Sequence, residues 1–338
     1  MGAGIFGLSV AYACARRGAR VRVVDPRGVA AGASGGVVGA LAPHTPENWN
    51  PKKAFQLESL LMAASHWAEV DALSGLTSGY GRLGRLQPVL PGERAMALAQ
   101  ERAKGAKALW QGEATWQIAD ANAGDWAPCT ETGKLVIDTL SARLHPKRAC
   151  KSLAAAIIAI GGEIVAEAKP CGGLVWATGY EGLCRLNVET GKPVGSGVKG
   201  QAALLQYDAH DQPQLFADGV HIVPHEDGTV AVGSTSERSF DDPTDTDAQL
   251  DELLARAVAV CPVLGAAPVL LRWAGVRPRA KSRAPLLGAW PGRPGQFIAN
   301  GGFKIGFGMA PRVGEVMAGL VLEGRDDIPD GFRVEDNL

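Results

Sequence analysis

The sequence predicts a mixed α/β fold in which two domains interleave along the chain, and three observations carry that prediction. A glycine-rich turn runs into a helical pattern near each end, at residues 2–7 and again at 301–308. The middle is rich in short β-branched runs. It also returns more than once to the helix-and-strand alternation of the first part, which describes domains threaded through one another rather than joined end to end.

Each element follows in order. Gly2, Gly4 and Gly7 form a G-x-G-x-x-G that opens into a helix over 8–17, with Gly18 where a helix C′ glycine belongs. Val21-Arg22-Val23-Val24 reads as a strand closed by Asp25. In that order and spacing they are the glycine turn, helix, second strand and ribose acid of a Rossmann-like dinucleotide fold. Gly2 permits the tight turn, Gly4 lets backbone approach a pyrophosphate, and Gly7 brings the helix close to the sheet. Ile5 and Phe6 complete the turn, where helix N–H groups meet phosphate. Asp25 accepts ribose hydroxyls and repels a 2′-phosphate, so an NADP-type ligand is disfavoured. A buried strand of about five to six residues normally precedes this motif, yet only Met1 does so here. That strand is central, and its loss uncovers two sheet edges. The expectation is a reading frame that starts upstream.

Residues 26–42 are small. Pro26 follows the ribose acid, and Ser34, Gly35, Gly36, Val38, Gly39 and Ala40 allow backbone to lie against a flat ligand, with a flexible loop as the alternative. Helical spacing then covers 53–73, a strand 84–90, a helix 93–110 and a strand 133–137. Leu144-His145-Pro146 starts a helix over 147–160 that Gly161-Gly162 ends. Strands follow at 163–165 and 173–177, the second running into Thr178-Gly179, as at a sheet edge facing a ligand crevice. Residues 199–207, 221–224 and 229–233 are spaced as an antiparallel meander, with Asp227-Gly228 as a hairpin turn. The acidic stretch 241–252 reads as a solvated helix start capped by Thr244. A strand over 270–276 ends at Arg277-Pro278, another covers 296–299, and a closing helix spans 311–322.

Composition limits the function. The chain has 338 residues, 34 basic and 35 acidic, for a formal charge of −1, and 46% are hydrophobic. That is enough for sizeable cores in about two domains, and it leaves no basic stripe for nucleic acid. No apolar run approaches a membrane-spanning length. The six cysteines and six histidines form no C-x-x-C and no metal-ligand spacing. Free thiols of this kind fit a reducing cytoplasm, which is the expected location; no metal is expected, and the oligomeric state stays open.

Taken together, the glycine turn with Asp25, Gly32-Ala33-Ser34-Gly35, Ala177-Thr178-Gly179, Lys199-Gly200-Gln201, Ile222-Val223-Pro224 with Val232-Gly233-Ser234-Thr235, Trp273-Ala274-Gly275-Val276-Arg277-Pro278 and the closing glycine turn resemble the FAD-dependent amino-acid oxidoreductases of the D-amino acid oxidase, glycine oxidase and sarcosine oxidase superfamily. The resemblance spans almost the whole chain. It implies an FAD-binding domain from residues 1–76, 139–193 and 282–338, and a substrate domain from 77–138 and 194–281 on a mixed, largely antiparallel sheet. It implies oxidation of the amine of a small amino acid (glycine, a D-amino acid or an N-methyl amino acid) to an imine, by hydride transfer to the flavin.

By the same resemblance the FAD site takes in Gly2, Gly4, Ile5, Phe6, Gly7, Asp25, Pro26, Ser34, Gly35, Gly36, Val38, Gly39, Ala40, Thr178, Gly179, Gly301, Gly302, Phe303, Lys304, Ile305 and Gly306. Arg277 matches the arginine that grips the substrate carboxylate with a bidentate fork, although a lone arginine is also an ordinary surface ion-pair residue. Lys304 falls where glycine oxidases carry a second cation. His221 takes the place of a tyrosine in glycine-oxidase-like members, which opens the question of substrate, and a hydrogen-bonded strand histidine is the plain alternative. His44 is a further candidate of the same standing. Two other readings stay open: a flavin oxidase acting on an amino group of a larger substrate such as modified tRNA, and a non-catalytic truncated chain with impaired FAD binding. An NAD-dependent dehydrogenase accounts for the first 25 residues only.

Overall fold

A computed structural model describes residues 1–121 and 124–338 and shows a mixed α/β molecule. In chain order its first elements are α1 (Ile5–Arg16), β1 (Arg22–Val24), β2 (Ala40–Leu41), α2 (Pro51–Ser74), β3 (Arg85–Pro88), α3 (Glu93–Leu109), β4 (Trp116–Asp120), β5 (Lys134–Asp138), β6 (Ala142–Arg143) and α4 (Pro146–Ala159). There follow β7 (Glu163–Val165), β8 (Leu174–Trp176), α5 (Gly179–Thr190), β9 (Gly195–Gln206), β10 (Gln214–Ala217), β11 (Val220–Pro224), β12 (Thr229–Gly233), α6 (Ala248–Val260), β13 (Val269–Ala280), β14 (Leu286–Ala289), β15 (Gln296–Asn300) and α7 (Gly306–Glu323).

The largest sheet has eight strands in the order β13-β9-β12-β11-β10-β3-β5-β4. Every pair in it is antiparallel except β10 with β3. α6 packs on it through Leu250, Leu253 and Ala257, which join Leu215, Ile222 and Val230 in one buried cluster. On the other side of the molecule β1 pairs with β7 and β8 with β15, both in parallel. A second and larger core surrounds α1, which is buried along most of its length between α4 and α7. α7 approaches α1 closely at Gly314, where an added Cβ would lie 2.7 Å from the Ser9 carbonyl oxygen.

Between β1 and β8 the chain places its first two residues. The Met1 ammonium donates to Val175 O at 2.7 Å, Met1 O accepts from Ala177 N at 2.8 Å, and Gly2 N donates to Val24 O at 2.8 Å. Backbone from Met1 and Gly2 therefore runs through the position a central strand holds in a parallel sheet. Burial pulls the pKa of that ammonium down to about 6, against the pull of Asp25.

Several expectations need correction. The meander is formed by β10, β11 and β12, and β9 pairs with β12 rather than with β11; β10 lies in the connection that read as a long turn. Thr244 caps no helix. Its N–H and hydroxyl are both held by Asp242 Oδ1, and α6 starts four residues later, where Asp247 accepts from Gln249 N. An Asx turn competed for the same threonine and won. β13 continues through Arg277 and Pro278 to Ala280. Its proline is tolerated because β13 is an edge strand, with β9 its one partner strand among the described residues. α7 begins at Gly306, so Pro311 lies inside the helix rather than at its first position. α5, which has little hydrophobic patterning on its exposed face, had no counterpart in the sequence reading.

No helix among the described residues is long and apolar enough to cross a membrane.

Candidate active site

The two glycine turns, the small-residue loop and the large sheet meet around one cleft of about 1040 Å³. Its dinucleotide end is built first by local sequence. Gly2 adopts φ +102°, and a Cβ there would stand 2.3 Å from Ala177 O; a Cβ on Gly7 would stand 2.0 Å from Gly2 O. No larger residue passes this turn with the helix so close to β8. Ser34 Oγ accepts the Ile5 N–H at 3.0 Å, while the Gly4 and Phe6 amides find no acceptor among the described residues. Free amides at a helix N-terminus are a site for phosphate. Asp25 receives Ala3 N at 2.9 Å on one oxygen and Arg27 N at 3.0 Å on the other, which fixes the carboxylate at the edge of the cleft with lone pairs left for ribose hydroxyls.

Of the expected cofactor residues, Gly2, Gly4, Ile5, Phe6, Asp25, Pro26, Ser34, Gly36, Val38, Gly39, Ala40, Thr178, Gly179, Gly302, Phe303, Lys304, Ile305 and Gly306 line this cleft. Gly7, Gly35 and Gly301 do not. They act from behind: a Cβ on Gly35 would meet Ala30 O at 2.3 Å, and Gly301, at φ +74°, turns the chain between β15 and α7. His44 lines the cleft, and its backbone N–H and ring both engage Gln56 Oε1. Burial holds its imidazole below the ordinary range.

The other end of the cleft is cationic. Arg277 lies on β13 with its guanidinium laid over the backbone of β9, in the space left by Gly200. Nη1 donates to Ser234 Oγ at 2.6 Å, and Nη2 donates to Thr235 O at 2.6 Å and Lys199 O at 3.2 Å. Nε is buried without a partner among the described residues. Burial pulls the Arg277 pKa down to about 10, with Glu237 opposing, so the group is still charged at neutral pH. The terminal fork expected for a ligand carboxylate is thus engaged by the protein itself. Phe303 lies beside it, its ring 5.9 Å from both the Arg277 guanidinium and the Lys304 ammonium. Desolvation and then the Arg277 charge hold Lys304 below the ordinary lysine range.

His221, on β11, is a neutral member of the group. Burial first, and the charges of Arg85 and Lys304 second, push its pKa down to about 3; its ring lies 4.5 Å from that of Phe216. Its Nδ1 is buried and unpartnered among the described residues.

Sequence reasoning missed several lining residues. Trp273 stands against the small-residue loop, its ring 3.1 Å from where a Gly36 Cβ would sit; the tryptophan before Ala274-Gly275 was the available signal. Ser234, Phe216 and Arg85 also line the cleft. Arg85 gave no signal, because its inward face is set by the pairing of β3 with β5 and with the distant β10.

The pattern of turns matches a family profile, FAD dependent oxidoreductase, over residues 1–320. The chain belongs to this family. The FAD dependent oxidoreductases supply its relatives as well. Glycine oxidase of Pseudomonas aeruginosa is 34% identical over 134 residues, which is 39% of this chain and 36% of the relative. The bifunctional protein ThiO/ThiG of a Nostoc species is 26% identical over 360 residues, covering 97% of this chain and 53% of its own. The matches thus span about a third to a half of the length of these curated relatives. The solved structure of glycine oxidase from Geobacillus kaustophilus superposes with a TM-score of 0.85 over 98% of this chain and 96% of the other, at 21% identity, and so shares the fold. The cofactor of this family member is FAD, and the free amides, the glycine cradle and Asp25 fit it.

Proposed function

We propose that the chain is an FAD-dependent amine oxidoreductase that converts the amine of a small amino acid, such as glycine, a D-amino acid or an N-methyl amino acid, to an imine. The observation that carries this reading is the junction of a dinucleotide cradle and a desolvated cationic end in one cleft. Bound FAD supplies the two-electron acceptor. The remaining chemistry falls to the chain. Arg277 attracts the substrate carboxylate through its charge and through the N–H groups that Ser234, Thr235 and Lys199 leave unmet. Neutral His221 accepts a hydrogen bond from the substrate nitrogen, and Phe216 and Trp273 exclude water. With the amine bound neutral, loss of a hydride from its α-carbon gives the protonated imine directly, which water then hydrolyses to the oxo acid and the released ammonium or amine. No side-chain base is assigned.

The domain division at 1–76, 139–193 and 282–338 against 77–138 and 194–281 is supported by the eight-stranded sheet, whose strands lie within 85–138 and 195–280. A cytoplasmic location is supported by the free state of all six cysteines, three of them exposed.

The test is the visible spectrum of the FAD-loaded protein during anaerobic addition of glycine, sarcosine and D-amino acids in turn. Bleaching of the flavin band by one of them is the expected result. A band untouched by all of them removes small amino acids as substrates.

A further inference from the structure

We infer that the cleft is built for an amine bearing two carboxylates, the second of them held by Arg85. The inference deepens the function proposed above and rests on it for the position of the first carboxylate.

Arg85 enters the cleft from β3, near enough to His221 for its charge to act on that imidazole, and is 5% exposed. Its inner edge is fixed. Nε donates to Asp138 Oδ2 at 2.9 Å, and Asp138, wholly buried, takes Ser141 N at 2.7 Å on its other oxygen. With the Gln87 amide turned oxygen-inward, that oxygen accepts from Nη2 at 3.0 Å. The guanidinium carbon is 5.9 Å from each of the Trp116 and Phe216 rings, which hold the group in place. Nη1 has no partner among the described residues. A buried ion pair adds little stability over apolar packing. One that keeps an unmet donor edge at a cleft wall is better explained by a ligand that meets it.

Charge agrees with geometry. Arg85, Arg277 and Lys304 all line the same cleft, and the acidic residues that line it are Asp25 and Glu181. Both acids belong to the ribose end, where Asp25 holds two backbone amides and Glu181 pairs with Arg27 at 2.8 Å. Asp138 already matches the charge of Arg85, so Arg277 and Lys304 carry the excess positive charge at the substrate end, and Arg85 adds an unmet donor beside them. A glycine-sized ligand engages Arg277 and leaves Arg85 unpaired on its cleft side. An amino or imino dicarboxylate satisfies both, with its nitrogen near His221. This is a claim about recognition and adds no chemical step.

The experiment uses the FAD-loaded protein and two ligands without an amine, oxydiacetate and its monoamide, which match in size and differ by one charge. Calorimetry reads their affinities without turnover. The expected result is oxydiacetate binding at least about tenfold tighter than the monoamide, with that ratio falling to about one in Arg85→Lys, which keeps a charge for Asp138 and loses the planar fork. A ratio near one in the unaltered protein overturns the inference. So does a ratio that survives Arg85→Lys intact. Should that variant not fold, Lys304→Met replaces it: a ratio that falls to about one there assigns the second carboxylate to Lys304 and overturns the inference, and a ratio that persists supports Arg85. Failure of every amino acid to bleach the flavin would count against the proposed oxidation and leave this binding result readable.

Discussion

At Arg277 three neighbours decide what one side chain can do. Ser234, Thr235 and Lys199 hold its terminal nitrogens, so the guanidinium reaches a ligand already oriented and loses little rotamer freedom on binding. Charge-assisted hydrogen bonds contribute roughly 1.5–3 kcal/mol. Arg277→Ala is therefore expected to weaken carboxylate ligands by on the order of 10- to 100-fold while FAD stays bound, as a titration followed on the flavin band would show; unchanged affinity removes Arg277 from the site. The arginine was legible in the sequence because it sits in a stretch, Trp-Ala-Gly-Val-Arg-Pro, whose neighbours carry information. Arg85 was not, because its burial is decided by the pairing of β3 with β5 and β10, and the last of these lies far along the chain. No local pattern records a contact of that range.

The elements show the same division between local and distant causes. The first glycine turn was legible apart from the start of α1, which begins at Ile5 rather than after Gly7, since each glycine answers to a neighbour a few residues away or to the strand beside it. Gly7→Ala puts a methyl group 2.0 Å from Gly2 O, and overpacking of this kind costs about 1–3 kcal/mol. The expected outcome is a lower Tm together with a lower ratio of flavin to protein after purification. A Gly7→Ala protein that keeps both values would mean that the turn has room the geometry denies it. The start of α6 was misread because two side chains compete for capping roles within four residues. Asp247→Ala is expected to lower Tm and Thr244→Ala to leave it nearly unchanged, since only Asp247 accepts from a helix amide and it also ties down Gln201. The reverse order in thermal melts would restore the original reading.

For the whole molecule, desolvation keeps three histidines neutral, His225 fully buried and His66 and His221 partly so. Burial is the main cause in each case, bringing His66 and His225 down to about 4 and His221 to about 3. Unfolded, they take up protons near pH 6.5. The unfolded chain therefore binds more protons over the window from about 6.5 down to 4, and stability is complete above that window and falls within it, by about 1.4 kcal/mol per pH unit for each proton. Urea midpoints measured from pH 7.5 to 4.5 should decline accordingly, and His66→Gln should flatten the decline; a flat profile in the unaltered chain would contradict the burial of all three. The fold class was legible because both ends of the chain repeat one local motif, whereas the order of the eight strands, set by pairings between distant segments, was not. The same arrangement governs the order in which the protein can be completed. β8 pairs with β15, and α1 lies against α7 as well as α4, so the α7-facing side of α1 has no partner until nearly the last element is made. At about 5–20 residues per second, Gly7 waits on the order of 15–60 seconds for Gly306. Through that interval the side of α1 that faces α7 is left to chaperones or to transient neighbours.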